Sequence, residues 1–144
     1  MSKDLDVVVD YLRFNRKEHF LALFQECYGD HIAKQTRRRF EWQYLMNPYR
    51  SHFERDERFN ICTVSIDGKI VGCMGLWPMR AKFAGKATTL FWTLDFIVLK
   101  QSVNYRGVRG RTLGEELLSK IMGDYPCPIV ATGLSAASIR FWKR

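Results

Sequence analysis

The sequence has few residues that could bind a metal ion or form disulfides. Its 144 residues include four cysteines, scattered without a C-x-x-C pair and without neighbouring histidines, so neither a zinc site nor a disulfide framework is indicated. No apolar run is long enough to cross a bilayer, and we expect no membrane partner. The opening residues MSKDLDVVVDYL lack the apolar segment and cleavage site of a signal peptide, so we expect a cytoplasmic protein with reduced thiols.

No pairing of a cysteine or serine with a histidine marks a nucleophilic site. Cys62 and Cys73 lie in apolar, strand-like stretches, where cysteines are most often buried and unreactive. The histidines fall on a helix face, at a helix start and in a polar loop, without a neighbour that would make any of them a base. They are His19, His31 and His52. The sequence therefore predicts a reaction without a covalent enzyme intermediate.

The composition is that of one globular domain. Apolar residues make up 47% of the chain and aromatic residues 14%, which fits a packed core and argues against disorder. A chain of this length has room for a single core, so we expect one domain over residues 1–144. The formal net charge of +8 is compatible with a nucleic-acid partner, a phosphate-rich cofactor, or a basic surface without any partner.

The first part of the chain predicts a strand, two helices and a loop. Asn15 is placed to cap the first helix and Gly29 to end it. Pro48 ends the second helix, because proline disfavours a helical residue before it. A charged stretch without apolar periodicity follows. The predicted segments are a strand at 5–13, helices at 16–28 and 31–46, and a loop at 49–58.

The remaining chain predicts a series of strands interrupted by helices. Asp67-Gly68 separates two apolar stretches and is a strong signal for a type I′ hairpin, and a second turn is predicted at 84–86. Gly123 is expected to end the helix before it. The predicted segments are strands at 60–66, 69–77, 88–99 and 129–132, and helices at 112–122 and 136–144. The order β-α-α-β-β-β-α-β-α favours an α/β fold with a mixed sheet and helices on its faces.

The most informative stretch is 94–118, which has the pattern of an apolar strand, a basic loop with glycines and the start of an amphipathic helix. Gly107, Gly110 and Gly114 punctuate the loop, and leucines recur at helical spacing after it. Such a loop presents backbone N–H groups at a helix N-terminus, where the helix dipole adds partial positive charge. Arginines in the loop make the local electrostatic potential more positive. The pattern predicts a site for phosphate or pyrophosphate.

The segment from Arg109 to Gly114 resembles the coenzyme A loop of the GNAT N-acetyltransferase superfamily, which reads Arg or Gln, two residues, Gly, one residue, then Gly or Ala. Arg109 and Gly114 match this pattern, whereas Thr112 stands where the family prefers Gly. The family places the loop between its fourth strand and third helix, and its order of elements is similar to the one predicted here. A softer resemblance is the helix end Phe40-Glu41-Trp42-Gln43-Tyr44 with Asn47-Pro48, which some members carry near the acceptor site.

The resemblance implies an acyltransferase that moves an acetyl group from acetyl-coenzyme A to an amine of a small molecule by direct attack. The pantetheine arm would pair with the backbone of Ile97, Val98 and Leu99, where an N–H group would polarise the thioester carbonyl. The pyrophosphate would lie on the loop. The residues implied there are Arg109, Gly110, Arg111, Thr112, Leu113 and Gly114.

The resemblance also implies that the chain is incomplete at its C-terminal end, since the family continues with further strands. The strand at 129–132 would then be an open sheet edge through which two copies could form a homo-oligomer. In the family, the helix expected at 136–144 carries a tyrosine that acts as general acid, and Trp142 stands at that position. An indole cannot protonate a thiolate, so the alignment is shifted by a residue, or water supplies the proton, or catalysis is weak.

A carboxylate and a set of aromatic residues are the candidates for the remaining roles. Asp95 lies on the cofactor strand and is the candidate for the general base, while an aspartate that faces solvent or caps a turn is the other interpretation. The aromatic residues could line a pocket for the acceptor or belong to the core. They are Trp42, Tyr44, Trp77 and Trp92.

A different function stays open beside acetyl transfer. The basic run from Lys34 to Arg39 lies on an amphipathic helix and could bind a nucleic acid or a protein in a non-catalytic module, although such a run is more often a solvated face. No recognised nucleic-acid motif accompanies it, so nucleic acid is the less favoured partner. A thermal-shift assay with acetyl-coenzyme A would discriminate between the two functions, because a ligand that binds the native state raises its stability.

Overall fold

The computed structural model describes residues 5–50, 57–131 and Lys143 of the chain. These residues form one sheet with the strand order β1-β2-β3-β4-β5 and three α-helices packed against it. The elements are β1 Val7–Arg13, α1 Lys17–Tyr28, α2 Asp30–Tyr44, β2 Arg58–Ile66, β3 Lys69–Phe83, β4 Lys86–Val98, α3 Leu113–Asp124 and β5 Ile129–Val130. The helix predicted at 136–144, which includes Trp142, lies outside the described residues except for Lys143.

The sheet is mixed, which confirms the predicted fold class. Neighbouring strands from β1 to β4 are antiparallel, and β5 joins β4 in parallel after α3. Antiparallel strands need only a tight turn between them, whereas a parallel pair needs a long connection, which α3 supplies here. The loop that leads into α3 therefore begins at the C-terminal end of β4.

Helices cover both faces of the sheet. Phe40 of α2 packs against Phe59 of β2 with ring centroids 4.8 Å apart, whereas Tyr125, just after α3, contacts Tyr11 of β1 at 5.8 Å. Tyr11 pairs with Cys62, which lies on the opposite face of β2 from Phe59 because side chains alternate along a strand. β2 is accordingly buried along nearly its whole length. None of the helices in the described part of the chain is long and apolar enough to cross a membrane.

Two type I′ turns define the antiparallel ribbon of β2, β3 and β4. Asp67 and Gly68 have φ of 48° and 81°, and Ala84 and Gly85 have φ of 48° and 79°. Two successive left-handed residues are what this turn requires, because its twist then matches that of the flanking strands. Both predicted turns are confirmed.

β3 continues past the end at residue 77 that the sequence predicts, through Pro78. β2 pairs with β3 only as far as Gly75, so the missing N–H of Pro78 faces a side where no strand needs it. The carbonyl of Pro78 accepts a hydrogen bond from Asn47 Nδ2 at 3.0 Å. The ribbon thus extends beyond β2, and its last pair joins Phe83 to Lys86.

The start of α1 differs from the prediction. Asn15 does not cap the helix, because it lies inside a short 3₁₀ turn, Phe14–Arg16, after which α1 begins without a side-chain cap. The end of α1 is as predicted. Gly29 has φ of 81° and separates α1 from α2, a conformation that glycine adopts without strain.

The predicted stop of α3 at Gly123 is also wrong. The helix continues to Asp124, and Tyr125 donates its N–H to Ile121 O at 2.9 Å. The ring of Tyr125 packs on Phe91 of β4 at 5.1 Å. Packing against the sheet therefore extends the helix past a glycine, whose cost in a helix is about 1 kcal/mol relative to alanine.

Candidate active site at the fork between β4 and β5

β4 and β5 form a short parallel ladder in the described residues, and we call the end of this ladder the fork. Their ladder has two residue pairs, in which Phe91 and Trp92 of β4 face Ile129 and Val130 of β5. Thr93 Oγ1 adds a contact by donating to the carbonyl of Val130 at 3.2 Å. Beyond this point the described residues add no further pair to the ladder, while β4 continues alongside β3. A strand edge without a paired neighbour can pair with an extended ligand.

A bulge in β4 lies just after the last described pair of the ladder with β5. Cys73 pairs with Ile97 and Gly75 with Leu94, so β4 has one residue more than β3 over this interval. Asp95 lies in the bulge and has a left-handed backbone with φ of 52°. Aspartate tolerates this conformation better than most residues. The bulge changes the direction of the backbone N–H and C=O groups that follow Asp95 relative to those earlier in β4.

The direction of the backbone amides decides which residues of β4 face the fork. Leu99 donates its N–H to Val71 O of β3 at 2.8 Å. Successive residues of a strand direct their N–H and C=O groups to alternate sides, so Ile97 also faces β3, and Val98 faces the fork. Of the three residues predicted to pair with pantetheine through their backbone, the structure turns Val98 toward the fork and the other two toward β3.

Three donors on α2 hold the carboxylate of Asp95. Arg39 Nη2 donates to Oδ1 at 2.7 Å, and Oδ2 accepts from Gln43 Nε2 at 2.9 Å and from Tyr44 Oη at 2.7 Å. The side chain of Asp95 is 8% exposed, so these donors replace water as its partners. We call Asp95, Arg39, Gln43 and Tyr44 the Asp95 clamp.

The clamp depends on a close approach between α2 and β3. A Cβ atom at Gly75 would clash with Tyr44 Oη and lie 3.0 Å from Leu94 O, so glycine leaves the room that the hydroxyl needs. Cys73 Sγ donates to the backbone carbonyl of Asp95 at 3.0 Å. Burial, and next the Asp95 charge, raise the pKa of both the Tyr44 hydroxyl and the Cys73 thiol. Both groups are therefore protonated donors at neutral pH.

An open cavity of about 330 Å³ lies at the C-terminal end of β4. Glu26 is fixed at its wall by hydrogen bonds from Lys69 Nζ at 2.9 Å and from Gln101 Nε2 at 2.6 Å. Burial, followed by the Glu26 charge, raises the pKa of the Cys27 thiol, which keeps the thiol protonated and poorly nucleophilic. The lining residues are Glu26, Cys27, Tyr28 and residues 96–101.

A group of tryptophans lies on the α2 side of the sheet beside the fork. Trp77 and Trp92 are cross-strand partners, and Trp42 meets Trp77 edge-on with ring centroids 5.0 Å apart. Trp42 is 51% exposed, so the group reaches the surface. Tyr44, predicted with these residues to line the acceptor pocket, is 2% exposed and lies in the core with its hydroxyl on Asp95.

The predicted phosphate loop folds into a compact turn before α3. Gly107 donates its N–H to Arg111 O at 2.8 Å, and Gly110 donates to Gly107 O at 3.2 Å. Arg109 and Gly110 have left-handed φ of 58° and 73°, a conformation that favours glycine. Arg111 Nη1 donates to Ser119 Oγ of α3 at 2.8 Å, so that arginine is tied to the helix while Arg109 stays exposed.

Thr112 and Glu115 close the N-terminus of α3 with a reciprocal capping box. Thr112 Oγ1 accepts from the Glu115 N–H at 3.2 Å, and Glu115 Oε2 accepts from the Thr112 N–H at 2.7 Å. The N–H groups of Leu113 and Gly114, in the first turn, have no carbonyl partner within the helix. Thr112 therefore has a structural role where the family prefers glycine. The T-x-x-E spacing is a sequence signal for this cap, and Glu115 is a site residue that the predictions missed.

Two arginines of the basic run from Lys34 to Arg39 pair with different carboxylates. Arg37 pairs with Glu18 of α1 at 2.6 Å in an exposed contact, whereas Arg39 reaches the buried Asp95. The predictions also missed Arg39 and Gln43 as site residues. Their i,i+4 spacing puts both on one face of α2, but Asp95 lies 56 residues after Arg39, and no local sequence signal connects them.

The fold is that of solved acetyltransferases, although no protein-family model and no curated protein matches the sequence. Glucosamine-6-phosphate N-acetyltransferase from Arabidopsis thaliana matches with a TM-score of 0.62 and 19% identity, over 96% of this chain and 88% of that protein. The aminoglycoside N-acetyltransferase AAC(6')-Iy in complex with coenzyme A matches with a TM-score of 0.63 and 12% identity, over 99% and 86%.

A third match extends the comparison to a protein named for the family itself. A GNAT family acetyltransferase from Staphylococcus aureus matches with a TM-score of 0.56 and 15% identity, over 90% of this chain and 87% of that protein. Identities this low show the architecture, and the chemistry has to be argued from the site. This chain therefore has the GNAT acetyltransferase fold that the resemblance of its loop implied.

Proposed function

We propose that this protein is an N-acetyltransferase that moves the acetyl group of acetyl-coenzyme A to an amine of a small molecule by direct attack. The observation that carries the proposal is the bulge at the left-handed Asp95, which follows the last described pair of the β4–β5 ladder. The loop at 109–114 follows the same strand and leads into a helix N-terminus. The shared fold of solved acetyltransferases supports the proposal.

The site has a complementary group for each part of acetyl-coenzyme A. The extended pantetheine arm suits the edge of β4 at the fork, which Val98 faces. The pyrophosphate suits the first turn of α3, where the N–H groups of Leu113 and Gly114 and the helix dipole favour an anion. Arg109 is exposed beside that turn and adds positive charge.

Direct attack needs a neutral amine and a polarised thioester carbonyl. The amine nitrogen adds to the acetyl carbon, the C–S bond breaks, and the coenzyme A thiolate takes up a proton as the amine gives one up. The thiols near the site favour this route over a covalent one. Cys73 is fully buried, and the pKa of Cys27 is raised by its burial.

We propose that the acceptor lies against the wall formed by Trp42, Trp77 and Trp92. Trp92 is the last residue of β4 that pairs with β5, so the wall borders the fork. Ligand pockets are lined by aromatic side chains with a few polar groups that fix orientation. Two of the matched enzymes are named for glucosamine-6-phosphate and aminoglycosides. Amines carried on sugar rings are therefore the first acceptor class to test.

Gly110→Pro tests the cofactor site. Proline cannot adopt the φ of 73° at this position and lacks the N–H that Gly110 donates to Gly107. Gly85→Pro is the matched control, because Gly85 has a φ of 79° in a turn at the far end of the β3–β4 ribbon. Calorimetric titration with coenzyme A should show binding by the wild type and by Gly85→Pro, and none by Gly110→Pro. Unchanged affinity in Gly110→Pro would contradict the assignment of the loop.

Initial-rate kinetics with a panel of amino sugars test the mechanism. Direct attack gives intersecting double-reciprocal lines, whereas a covalent intermediate gives parallel lines. Parallel lines or a trapped acetylated cysteine would contradict direct attack. A wild-type protein that binds no acetyl-coenzyme A but binds nucleic acid or a protein would instead support the non-catalytic basic module.

A further inference from the structure

Asp95 is held at two points, its side-chain carboxylate and its backbone carbonyl. Its carboxylate receives the three donors of the Asp95 clamp, and its backbone carbonyl receives the Cys73 thiol at 3.0 Å. We propose that the Asp95 clamp is a positioning device that fixes the bulge of β4. The backbone N–H that follows the bulge and faces the fork would then point at the acetyl carbonyl oxygen of bound acetyl-coenzyme A. This inference rests on the proposed acetyl transfer.

The surroundings of the carboxylate argue for positioning over proton transfer. A general base needs an oxygen within hydrogen-bond reach of the proton that it abstracts. Both oxygens of Asp95 already accept hydrogen bonds, one of them from the Arg39 guanidinium and the other from Gln43 and Tyr44. The side chain points toward α2 and is 8% exposed. A carboxylate that is paired with a cation and closed off from solvent is poorly placed to receive a proton from the acceptor.

The backbone of Asp95 shows what the clamp holds in place. A left-handed residue in the middle of a strand is a strained feature that persists when the surrounding contacts stabilise it. The φ of 52° at Asp95 occurs at the register shift between Cys73 and Gly75. Loss of one clamp contact would let the bulge relax, and the N–H groups after it would change direction.

Helix α2 also connects the clamp to the proposed acceptor wall. Trp42, which packs on Trp77, lies between Arg39 and Gln43 in the same helix. One rigid element therefore places both the wall on which the acceptor would lie and the bulge against which the thioester would lie. Misplacement of reacting atoms by about 1 Å can lower a rate about a hundredfold, so the shared helix has a direct consequence for turnover.

The first experiment compares Tyr44→Phe with Tyr11→Phe. Each change deletes one hydroxyl from a buried tyrosine, but only Tyr44 contacts Asp95, while Tyr11 lies on the α3 face of the sheet. The measurement is the infrared carbonyl stretch of acetyl-coenzyme A labelled with ¹³C at the acetyl carbonyl, which needs no acceptor. In the wild type and Tyr11→Phe, binding should shift the stretch to lower frequency. Tyr44→Phe should lose most of that shift.

Steady-state kinetics give a second readout of the same pair. For Tyr44→Phe, kcat should fall about tenfold to a hundredfold, while the KM for acetyl-coenzyme A and the affinity for coenzyme A, which has no acetyl carbonyl, stay within about twofold. Tyr11→Phe should keep the wild-type kcat. An unchanged carbonyl stretch in Tyr44→Phe, or an equal loss in Tyr11→Phe, would overturn the proposal.

Asp95→Asn separates positioning from base catalysis. Asparagine tolerates the left-handed backbone, but its amide has one acceptor oxygen and one donor NH2 group, so it cannot accept from all three donors of α2, and it cannot act as a base at neutral pH. If Asp95 only positions the bulge, Asp95→Asn should lower kcat and the carbonyl shift to about the same extent as Tyr44→Phe, with the wild-type pH profile. A loss of kcat in Asp95→Asn that removes one limb of the pH profile while the carbonyl shift is preserved would overturn positioning in favour of base catalysis.

Two different results would overturn the positioning role and the acetyltransferase activity. A wild-type protein that binds no acetyl-coenzyme A would overturn both. Binding with a shifted carbonyl stretch that Tyr44→Phe preserves would overturn the positioning role alone and leave the acetyltransferase proposal standing.

Discussion

Two carboxylates, Asp95 and Glu115, are held in different ways on either side of the proposed cofactor site. Asp95 takes the Arg39 cation and two neutral donors from α2. Glu115 takes the backbone N–H and the hydroxyl of Thr112 at the start of α3. The first set of contacts joins residues up to 56 apart in the sequence, and the second joins residues 3 apart. One carboxylate therefore ties a helix to the sheet, and the other completes a single helix.

The contacts of Asp95 and Glu115 indicate which of these two carboxylates a ligand can displace. Asp95 has an 8% exposed side chain and is neutralised by Arg39, so removal of its partner leaves a charge without water. Glu115 lies at a helix N-terminus, where the helix dipole favours any anion. A pyrophosphate on the loop would compete with Glu115 for the Thr112 N–H. The clamp is thus a fixed part of the fold, and the capping carboxylate occupies a place that the cofactor would take.

Breaking the Asp95 clamp should have the largest effect on stability. Arg39→Met keeps a long apolar side chain but leaves the Asp95 carboxylate buried without its cation, and removal of one partner of such a pair costs about 3 kcal/mol. The free energy of unfolding, measured by urea denaturation at pH 7, should fall accordingly.

Arg37→Met is the matched control for that change. It removes the same charge from the same helix, but Arg37 pairs with Glu18 in an exposed contact, and exposed ion pairs add little to stability. We expect its unfolding midpoint to lie close to that of the wild type. Equal destabilisation by the two variants would show that the Asp95 contact is no stronger than a surface ion pair.

Alkaline pH should weaken the same region more gradually. The native state holds Cys73 and Tyr44 protonated, with pKa values raised chiefly by burial from their ordinary values of 9.0 and 10.0. The unfolded chain loses these protons at lower pH than the native protein, so stability is present below pH 9 and falls as pH rises above it. Each group contributes up to about 1.4 kcal/mol per pH unit.

Denaturation curves from pH 7 to pH 11 measure this decline. Cys73→Ala should reduce the part that begins near pH 9, because it deletes one of the thiols whose pKa the native state raises by burial. A wild-type stability that stays constant up to pH 11 would contradict the raised pKa values.

Weakening the α3 cap should have the smallest effect, and it should increase the affinity for the cofactor. Glu115→Gln keeps the capping box, but its neutral amide oxygen holds the Thr112 N–H less strongly than the carboxylate does, so pyrophosphate displaces it more easily. A charge at a helix N-terminus is worth about 0.3–1 kcal/mol, so the affinity for coenzyme A should rise about twofold to fivefold. Calorimetric titration measures the change.

Glu116→Gln controls for the simple loss of negative charge. Glu116 lies in the same turn, and a Cβ atom at Gly107 would meet its side chain, while the Thr112 N–H is bound by Glu115. We expect a smaller gain in coenzyme A affinity for this variant. Equal gains in both variants would indicate that charge alone, without competition for the Thr112 N–H, sets the effect.

The features that the sequence predicts well are those that depend on neighbouring residues. Asp67-Gly68 specifies its hairpin turn because both residues adopt left-handed φ at little cost. Gly29 ends α1 for the same reason. The T-x-x-E cap at Thr112 is equally local, although the predictions did not include it. Where packing outweighs local preference, prediction failed, as at Gly123, which α3 passes because Tyr125 packs on the sheet.

The amino-acid sequence by itself determined the order of elements, the mixed sheet and the position of the glycine-bearing loop before α3, because periodicity and turn residues act within a few positions of the chain. Only the tertiary structure decided which groups surround Asp95. Its partners on α2 lie 51 to 56 residues away, and burial, hydrogen bonding and backbone strain at one residue depend on elements that meet only in the folded protein.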